Sequence, residues 1–155
     1  MIVGESVLDL IGSTPMVKIN KLNTNKDIKV YAKVEGFNPT GSIKDRVAIK
    51  MIEEAEKSGE LKAGKVIIEA TSGNTGIGLA MVGSQKGYKV VIVMSSSVSI
   101  ERRKMIEAFG AEVILTSPDL GTDGAIMKVR EMISEHPEKY YNPNQFSNEN
   151  NKLAH

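Results

Sequence analysis

Residues 66–82 have the sequence VIIEATSGNTGIGLAMV, in which two apolar runs flank a short polar segment that contains glycine. The first run, 66–69, is typical of a short buried strand, and the stretch from Gly76 onward is typical of a helix. Between them, Thr71 to Asn74 form a tight turn. A strand, a glycine turn and a helix start place several backbone N–H groups around one point, which suits a carboxylate or a phosphate.

This turn differs from two phosphate-binding motifs that are also rich in glycine. Its glycines at 73, 76 and 78 follow the order G-x-x-G-x-G, whereas the dinucleotide fingerprint is G-x-G-x-x-G. The next apolar run, 89–94, ends without the acidic residue that would bind a ribose, and the sequence has no G-x-x-x-x-G-K-[ST] motif. A lone glycine turn is equally compatible with a structural role. The turn by itself therefore does not identify a ligand.

The alternation of strand and helix continues toward the C-terminus. Strands are predicted at 66–69, 89–94 and 112–115, and helices near 75–86, 99–109 and 122–135. This order predicts an α/β fold with a parallel sheet, flanking helices and right-handed crossovers. Upstream, Met16 to Ile19 and Ile28 to Glu35 are strand-like and are joined by a polar connection.

A second segment, 38–46, has the sequence NPTGSIKDR and places a lysine at the start of a predicted helix. Ser42 is a good N-cap because its hydroxyl can accept from an unpaired backbone N–H, and Asp45 completes the pattern of a capping box. Lys44 then lies in the first turn, where the positive end of the helix dipole disfavours an ammonium. The neutral amine is the form that acts as a nucleophile and forms Schiff bases. Taken alone, such a lysine is more often an ordinary surface residue.

Composition and charge argue against several classes of protein. Twenty basic and nineteen acidic side chains give a net charge of +1 without a basic block, so we predict neither a nucleic-acid nor a membrane partner. The absence of cysteine excludes disulfides and thiolate metal sites, and the two histidines are far apart, so we predict no metal centre. The sequence also lacks a signal-peptide pattern and a long apolar run. These features predict a cytoplasmic enzyme.

Several stretches resemble pyridoxal-phosphate enzymes of the cysteine synthase and cystathionine β-synthase family, which have the tryptophan synthase β-type fold. They occur in the family's order at residues 11–15 (IGSTP), 37–46 (FNPTGSIKDR), 68–80 (IEATSGNTGIGLA), 99–104 (SIERRK), 109–112 (FGAE) and 144–146 (NQF). The resemblance implies that Lys44 forms the Schiff base with pyridoxal 5'-phosphate and that Asn74 donates to the ring oxygen of this cofactor. It also implies that the substrate α-carboxylate is held by Thr71, Ser72, Gly73, Thr75 and Gln145.

The activity implied by the resemblance is β-replacement on an activated serine such as O-acetylserine, with sulfide as nucleophile and cysteine as product. Lys44 would remove the α-proton, after which the β-substituent leaves and sulfide adds. The cofactor supplies most of the electron withdrawal, whereas the protein supplies position and proton transfer. The alternatives left open are a cystathionine β-synthase, a threonine synthase or serine/threonine dehydratase relative, and a non-catalytic piece that needs a partner.

Three departures from the family pattern bear on this interpretation. Ser13 stands where the family usually has asparagine, a turn position that accepts either residue. Residues 95–98 (SSSV) replace a stretch that usually contains Pro-Glu, and we predict that they form a loop. Thr122 stands where many O-acetylserine enzymes carry a methionine near the sulfide pocket. The leaving group and the nucleophile therefore remain open at this stage.

The resemblance also predicts how the chain is divided. Residues 1–46 would be a strip of the larger, cofactor-holding domain, 47–145 the smaller mobile domain, and 146–155 the start of the return to the larger domain. Family members continue with a C-terminal half that holds the cofactor phosphate and ring nitrogen, and the full-length protein is expected to be a homodimer. We therefore expect the 155-residue chain alone to retain cofactor weakly and to lack β-replacement activity.

Overall fold

The computed structural model describes residues 3–155, so the first two residues of the predicted strip 1–46 lie outside it. The described residues form two sheets. The larger has four parallel strands in the spatial order β5-β4-β3-β6, and the smaller is an antiparallel pair, β1-β2. The strands are β1 (Met16–Lys18), β2 (Tyr31–Lys33), β3 (Val66–Ala70), β4 (Lys89–Ser95), β5 (Glu112–Thr116) and β6 (Tyr140–Tyr141). The predicted α/β fold with a parallel sheet is confirmed.

Five α-helices occur among residues 3–155, together with short 3₁₀ turns at Val7–Leu10, Glu35–Phe37 and Pro118–Leu120. The helices are α1 (Lys44–Ser58), α2 (Asn74–Gln85), α3 (Ile100–Ala108), α4 (Gly121–Glu135) and α5 (Glu149–Leu153). The helices predicted near 75–86, 99–109 and 122–135 agree with α2, α3 and α4 within one residue, and the helix predicted to follow Ser42 is α1, whereas the short α5 was not predicted. Over this part of the chain, every helix is too short or too polar to cross a membrane.

One predicted strand differs from the structure, and one observed strand was not predicted. The strand-like stretch from Ile28 to Glu35 contains only the three-residue strand β2, because the chain turns into a 3₁₀ helix at Glu35. The two-residue strand β6 was not predicted, since a pair of tyrosines is too short to show periodicity. It nevertheless extends the large sheet, because Tyr140 pairs with Val66 and Tyr141 with Ile67.

The large sheet separates two apolar layers. Every residue of β3 is buried, as expected for a central parallel strand covered on both faces. Alternate residues point to opposite faces, so Ile67 packs with α1 and α2 while Val66 and Ile68 pack with α4. The carboxyl ends of β3 and β4 therefore open toward the starts of the helices that follow them.

Candidate active site

The start of α1 is held differently from the predicted capping box. Ile43, and not the predicted Ser42, occupies the N-cap position, although the hydroxyl of Ser42 still accepts a 3.1 Å hydrogen bond from the N–H of Lys44. The carboxylate of Asp45, however, reaches back to Thr40, from which it accepts a 2.7 Å bond of the backbone N–H and a bond of the hydroxyl. Asp45 is fully buried, and burial raises its pKa, while the two bonds from Thr40 oppose that rise. Lys44 is the first residue of the helix, in the turn where it was predicted.

A polar cluster fixes this helix start to the preceding chain. Arg46 donates from Nε to Glu35 Oε2 at 2.8 Å and from Nη2 to Glu35 Oε1 at 3.0 Å, which makes the pair bidentate. The Thr14 hydroxyl and the Asn38 side-chain amide also donate to Glu35, at 2.6 and 2.9 Å. The hydrogen bonds from Arg46, followed by those from Thr14 and Asn38, lower the pKa of Glu35 to about 2. The cluster thereby sets the position of Arg46, two residues after Lys44.

The turn between β3 and α2 leaves the start of the helix open to a ligand. Gly73 occupies the N-cap position and has no side chain with which to cap the helix. The Thr71 hydroxyl accepts a 3.3 Å bond from the Gly73 N–H, and the Arg102 guanidinium donates to the Ser72 carbonyl at 3.0 Å. These bonds fix the turn from within and from α3. The positive end of the α2 dipole, together with the N–H groups of its first turn, suits an anion.

Gln145 reaches this turn from a distant part of the chain. The Thr75 hydroxyl donates a 2.7 Å bond to Oε1 of Gln145, and both residues are buried. Because this oxygen serves as acceptor, the remaining polar atom of the side chain is the amide nitrogen, which can only donate. Gln145 therefore adds a donor to the start of α2.

Close packing of two helices brings Lys44 to the same region. A Cβ added at Gly78 would lie 3.1 Å from the Lys44 carbonyl oxygen and 3.2 Å from the Cβ of Ala48. Glycine at this position therefore allows the start of α2 to lie directly against the start of α1. Lys44 is half-buried, and Asn74, the first residue of α2, is exposed. The two segments identified in the sequence, in which Lys44 and Thr71 are 27 positions apart, are therefore neighbours in the structure.

A cavity of about 100 Å³ adjoins the turn. Its lining includes Thr71 and Ser72 from the turn, Ser95, Ser97 and Val98 from the end of β4 and the following loop, and Thr122 from α4. Ser95 is the last residue of β4, so the loop predicted at 95–98 begins one residue later. The hydroxyl oxygens of Ser95 and Ser97 are 2.8 Å apart. Residues from two of the stretches that depart from the family pattern, 95–98 and Thr122, therefore line one cavity beside the turn at 71–74.

Glu69 is a candidate residue that the sequence analysis did not single out. It lies in β3 and is only 3% exposed. Its carboxylate accepts bonds from the N–H groups of Ala70, at 3.1 Å, and Gln145, at 3.3 Å. Burial raises the pKa of Glu69 to about 7, against the effect of those N–H groups. The signal available in the sequence was an acidic residue in an apolar strand, directly before the turn.

The fold combines a parallel α/β sheet with a half-buried lysine at the start of α1, packed against a second helix whose start has no side-chain cap. Residues 7–155 match the family described as "Pyridoxal-phosphate dependent enzyme", and the chain belongs to this family. The resemblance predicted from the sequence is therefore confirmed.

Individual relatives include several enzymes of sulfur metabolism. A cysteine synthase from Aquifex aeolicus is 50% identical over 154 residues, which cover 97% of this chain and 47% of that protein. A crystal structure of cysteine synthase from Entamoeba histolytica has a TM-score of 0.94 at 44% identity, over 99% of this chain and 47% of that one. A hydrogen sulfide-producing enzyme from Fusobacterium nucleatum has a TM-score of 0.90 at 51% identity, over 99% and 50%. The chain spans about half the length of the curated relatives it matches.

Proposed function

We propose that this chain supplies the lysine and the substrate-carboxylate turn of a cysteine synthase, which converts an activated serine such as O-acetylserine and sulfide into cysteine. The observation that carries the proposal is the packing of α1 on α2 at Gly78, which holds the backbone of Lys44 against α2 one turn beyond its open start. The identity of 50% to a cysteine synthase supports the choice of reaction.

The residues of this region fit the family's cofactor. Lys44 provides an amine at a helix start that the Asp45–Thr40 bonds hold in place, and Asn74 provides an exposed amide at the start of α2. We assign Lys44 to covalent attachment of pyridoxal phosphate and to transfer of the substrate α-proton, and Asn74 to the ring oxygen. When bound, the cofactor supplies the electron sink that stabilises negative charge at the substrate α-carbon.

The turn would hold the substrate by its carboxylate. We assign this role to the N–H groups and hydroxyls of residues 71–75, namely Thr71, Ser72, Gly73 and Thr75, and to the amide of Gln145. A charge-assisted bond to each donor would fix one end of the amino acid. A fixed carboxylate limits the orientations in which the α-proton can meet the amine of Lys44, which is how positioning lowers an activation barrier.

A chimera tests this proposal with a complete catalytic unit. The 155-residue chain would replace the matching N-terminal half of the Aquifex enzyme, and the product would be assayed for cysteine formation from O-acetylserine and sulfide. We expect activity that Lys44→Ala abolishes. Lys50→Ala is the matched control, because Lys50 lies on the same helix and pairs with Glu54 at the surface. Borohydride reduction and peptide mapping should place the cofactor on Lys44, and a label on another lysine would contradict the assignment.

A second candidate function is the release of hydrogen sulfide from an amino acid. It is favoured by the 51% identity to a hydrogen sulfide-producing enzyme and by the polar residues Ser95, Ser97 and Thr122 in the cavity beside the turn. The same chimera, supplied with cysteine in place of O-acetylserine and sulfide, distinguishes the two functions. Sulfide release that exceeds cysteine formation would favour the second function.

For a protein of full family length, we propose a cytoplasmic homodimer that acts on a small amino acid and sulfide without a nucleic-acid or membrane partner. The net charge of +1 supports the absence of polyanionic partners. Analytical ultracentrifugation of such a protein would measure its oligomeric state, and a monomer would contradict this part of the proposal.

A further inference from the structure

One buried carboxylate connects the end of β3 to the residue that completes the proposed carboxylate site. Oε2 of Glu69 accepts from the backbone N–H of Gln145 at 3.3 Å, and Oε1 accepts from the N–H of Ala70 at 3.1 Å. Glu69 and Gln145 are 76 residues apart in the sequence. The side chain of Gln145 then accepts the bond from Thr75. Glu69, Gln145 and Thr75 therefore form a continuous chain of hydrogen-bonded residues from the sheet to the start of α2.

Contacts on either side hold the flanks of the segment that carries Gln145. The Asn142 amide donates to the Ile68 carbonyl at 2.6 Å, and the Asn151 amide donates to the Gln145 carbonyl at 2.7 Å. Asn144, immediately before Gln145, has a φ of 48°, in the left-handed region that asparagine tolerates better than most residues. The backbone N–H of Gln145 follows this bend and points to Glu69.

We propose that Glu69 is a positioning residue, which fixes the backbone of Gln145 so that its side-chain amide faces a carboxylate bound at the start of α2. The nature of that ligand rests on the proposed function, whereas the tether between Glu69 and Gln145 does not. An ionised carboxylate accepts with both oxygens, whereas a protonated one uses one oxygen as a donor. Protonation of Glu69 should therefore weaken the tether and, through Gln145, the binding of an anion.

The surroundings of Glu69 place this change in a useful pH range. Burial raises its pKa to about 7, and the N–H groups of Gln145 and Ala70 oppose the rise. Helix α2 has no charged residue, and Asp45 is the one buried charged residue of α1. Two ionisable groups are linked directly to Glu69. Burial, followed by the charges of Glu60 and Glu69, raises the pKa of Tyr141 in β6, and Arg130 of α4 lines one cavity together with Glu69.

The tether is tested by NMR on the ¹⁵N-labelled 155-residue chain. We expect the backbone and side-chain amide resonances of Gln145 to shift with an inflection close to the Glu69 pKa of about 7. Glu69→Gln should remove this inflection. Glu112→Gln, at an exposed position of β5, is the matched control and should keep it. Gln145 resonances that do not titrate in the wild-type chain, or that titrate unchanged in Glu69→Gln, would overturn the proposal without requiring any variant to bind a ligand.

The effect on the site is tested in the same samples with acetate as the carboxylate probe. Partial loss of one charge-assisted bond predicts that acetate binds the wild-type chain about fivefold more weakly at pH 6 than at pH 8. In Glu69→Gln, binding should be weak at both values. Stronger binding at pH 6 in the wild-type chain would show repulsion by Glu69 and overturn the positioning role. A Gln145 inflection without any acetate-induced shift at Asn74 or Thr75 would retain the tether and contradict the proposed function instead.

Discussion

The Thr75 hydroxyl donates a 2.7 Å hydrogen bond to the side-chain oxygen of Gln145, although the two residues are 70 positions apart in the chain. The bond determines which atom of the Gln145 side-chain amide already has a hydrogen-bond partner and which atom is available to a ligand. Since the oxygen is the acceptor, the amide nitrogen is the end that can donate to a carboxylate. The two residues therefore act as one unit at the start of α2.

Removal of this donor should weaken the binding of amino acids. Loss of a hydrogen bond to a charged group costs about 1.5–3 kcal/mol, so Gln145→Ala should reduce amino-acid affinity of the chimera tenfold or more. Thr71→Ala should have an effect of the same order if its hydroxyl contacts the carboxylate. Gln85→Ala, at the exposed far end of α2, is the control. Spectroscopic titration with L-serine measures all three, and unchanged affinity in the first two would remove these residues from the site.

Two glycine variants should separate stability from binding. An alanine side chain fits at position 73, because no atom lies within 4 Å of the added Cβ. The φ of Gly73, −124°, is also one that alanine adopts without strain. We therefore expect Gly73→Ala to change the free energy of unfolding by less than about 0.5 kcal/mol. The new methyl group would nevertheless lie at the open helix start and should reduce anion binding.

Gly78→Ala should show the opposite pattern. The added Cβ would lie 3.1 Å from the Lys44 carbonyl oxygen, which belongs to the backbone and cannot rotate away. We expect a loss of about 1–3 kcal/mol from overpacking, larger than the gain in helix propensity. Urea unfolding measures both variants, and equal stability of the two would contradict the close approach of α1 and α2.

The cluster around Glu35 should contribute stability that depends on acid pH. Its pKa is lowered from 4.5 to about 2, so this contribution is complete above pH 4.5 and is lost as the pH falls toward 2. Because the carboxylate is partly exposed, we expect Glu35→Gln to cost only about 1 kcal/mol at neutral pH. Unfolding of both proteins across the acid range should show this difference shrinking. A difference that does not depend on pH would assign the cost to packing.

Glu69 should affect stability with the opposite sign. Its pKa is raised from 4.5 to about 7, so the folded state is favoured by the protonated form, and stability falls as the pH rises through that window. The shift corresponds to about 3 kcal/mol at most. We expect Glu69→Gln to gain stability relative to the wild type between pH 5 and 8, measured by urea unfolding, while Glu112→Gln shows no such trend. A more stable variant with a weaker site would fit the trade-off common at functional residues.

The sequence predicted the parts of the fold that depend on neighbouring residues. Strands β4 and β5 and helix α3 lie within one residue of their predicted positions, because strand and helix ends are signalled locally, here by Gly87 before β4 and Gly110 after α3. Lys44 at the start of α1 was predictable for the same reason. The hydrogen-bond partner of the Asp45 carboxylate, which is Thr40 and not Ser42, was not predictable in this way. Both residues are within reach of the carboxylate, and the path of the turn decides between them.

Contacts between distant residues were beyond local patterns. The burial of Glu69, the strand β6 and the shared cavity of Ser95, Ser97 and Thr122 all depend on which elements become neighbours in space. The family resemblance named Gln145 as a carboxylate ligand, but it gave no account of what holds Gln145 in place. In the structure, Glu69 accepts from the backbone N–H of Gln145 and the Asn151 amide donates to its carbonyl, and both partners lie far from the local sequence pattern or in the unpredicted α5.

The parallel pairing of β3 with β6 has a consequence for the folding of the chain during its synthesis on the ribosome. Val66 pairs with Tyr140, so the large sheet gains its last strand only after the ribosome has released most of the described chain. Until then, one edge of β3 has no partner strand, and the Glu69 carboxylate lacks its hydrogen bond from the N–H of Gln145. Pairings between residues so far apart in sequence form slowly because the intervening loop must first be closed. A nascent chain that pauses before residue 140 would therefore expose an apolar strand edge, the surface on which chaperones and other unfinished chains act.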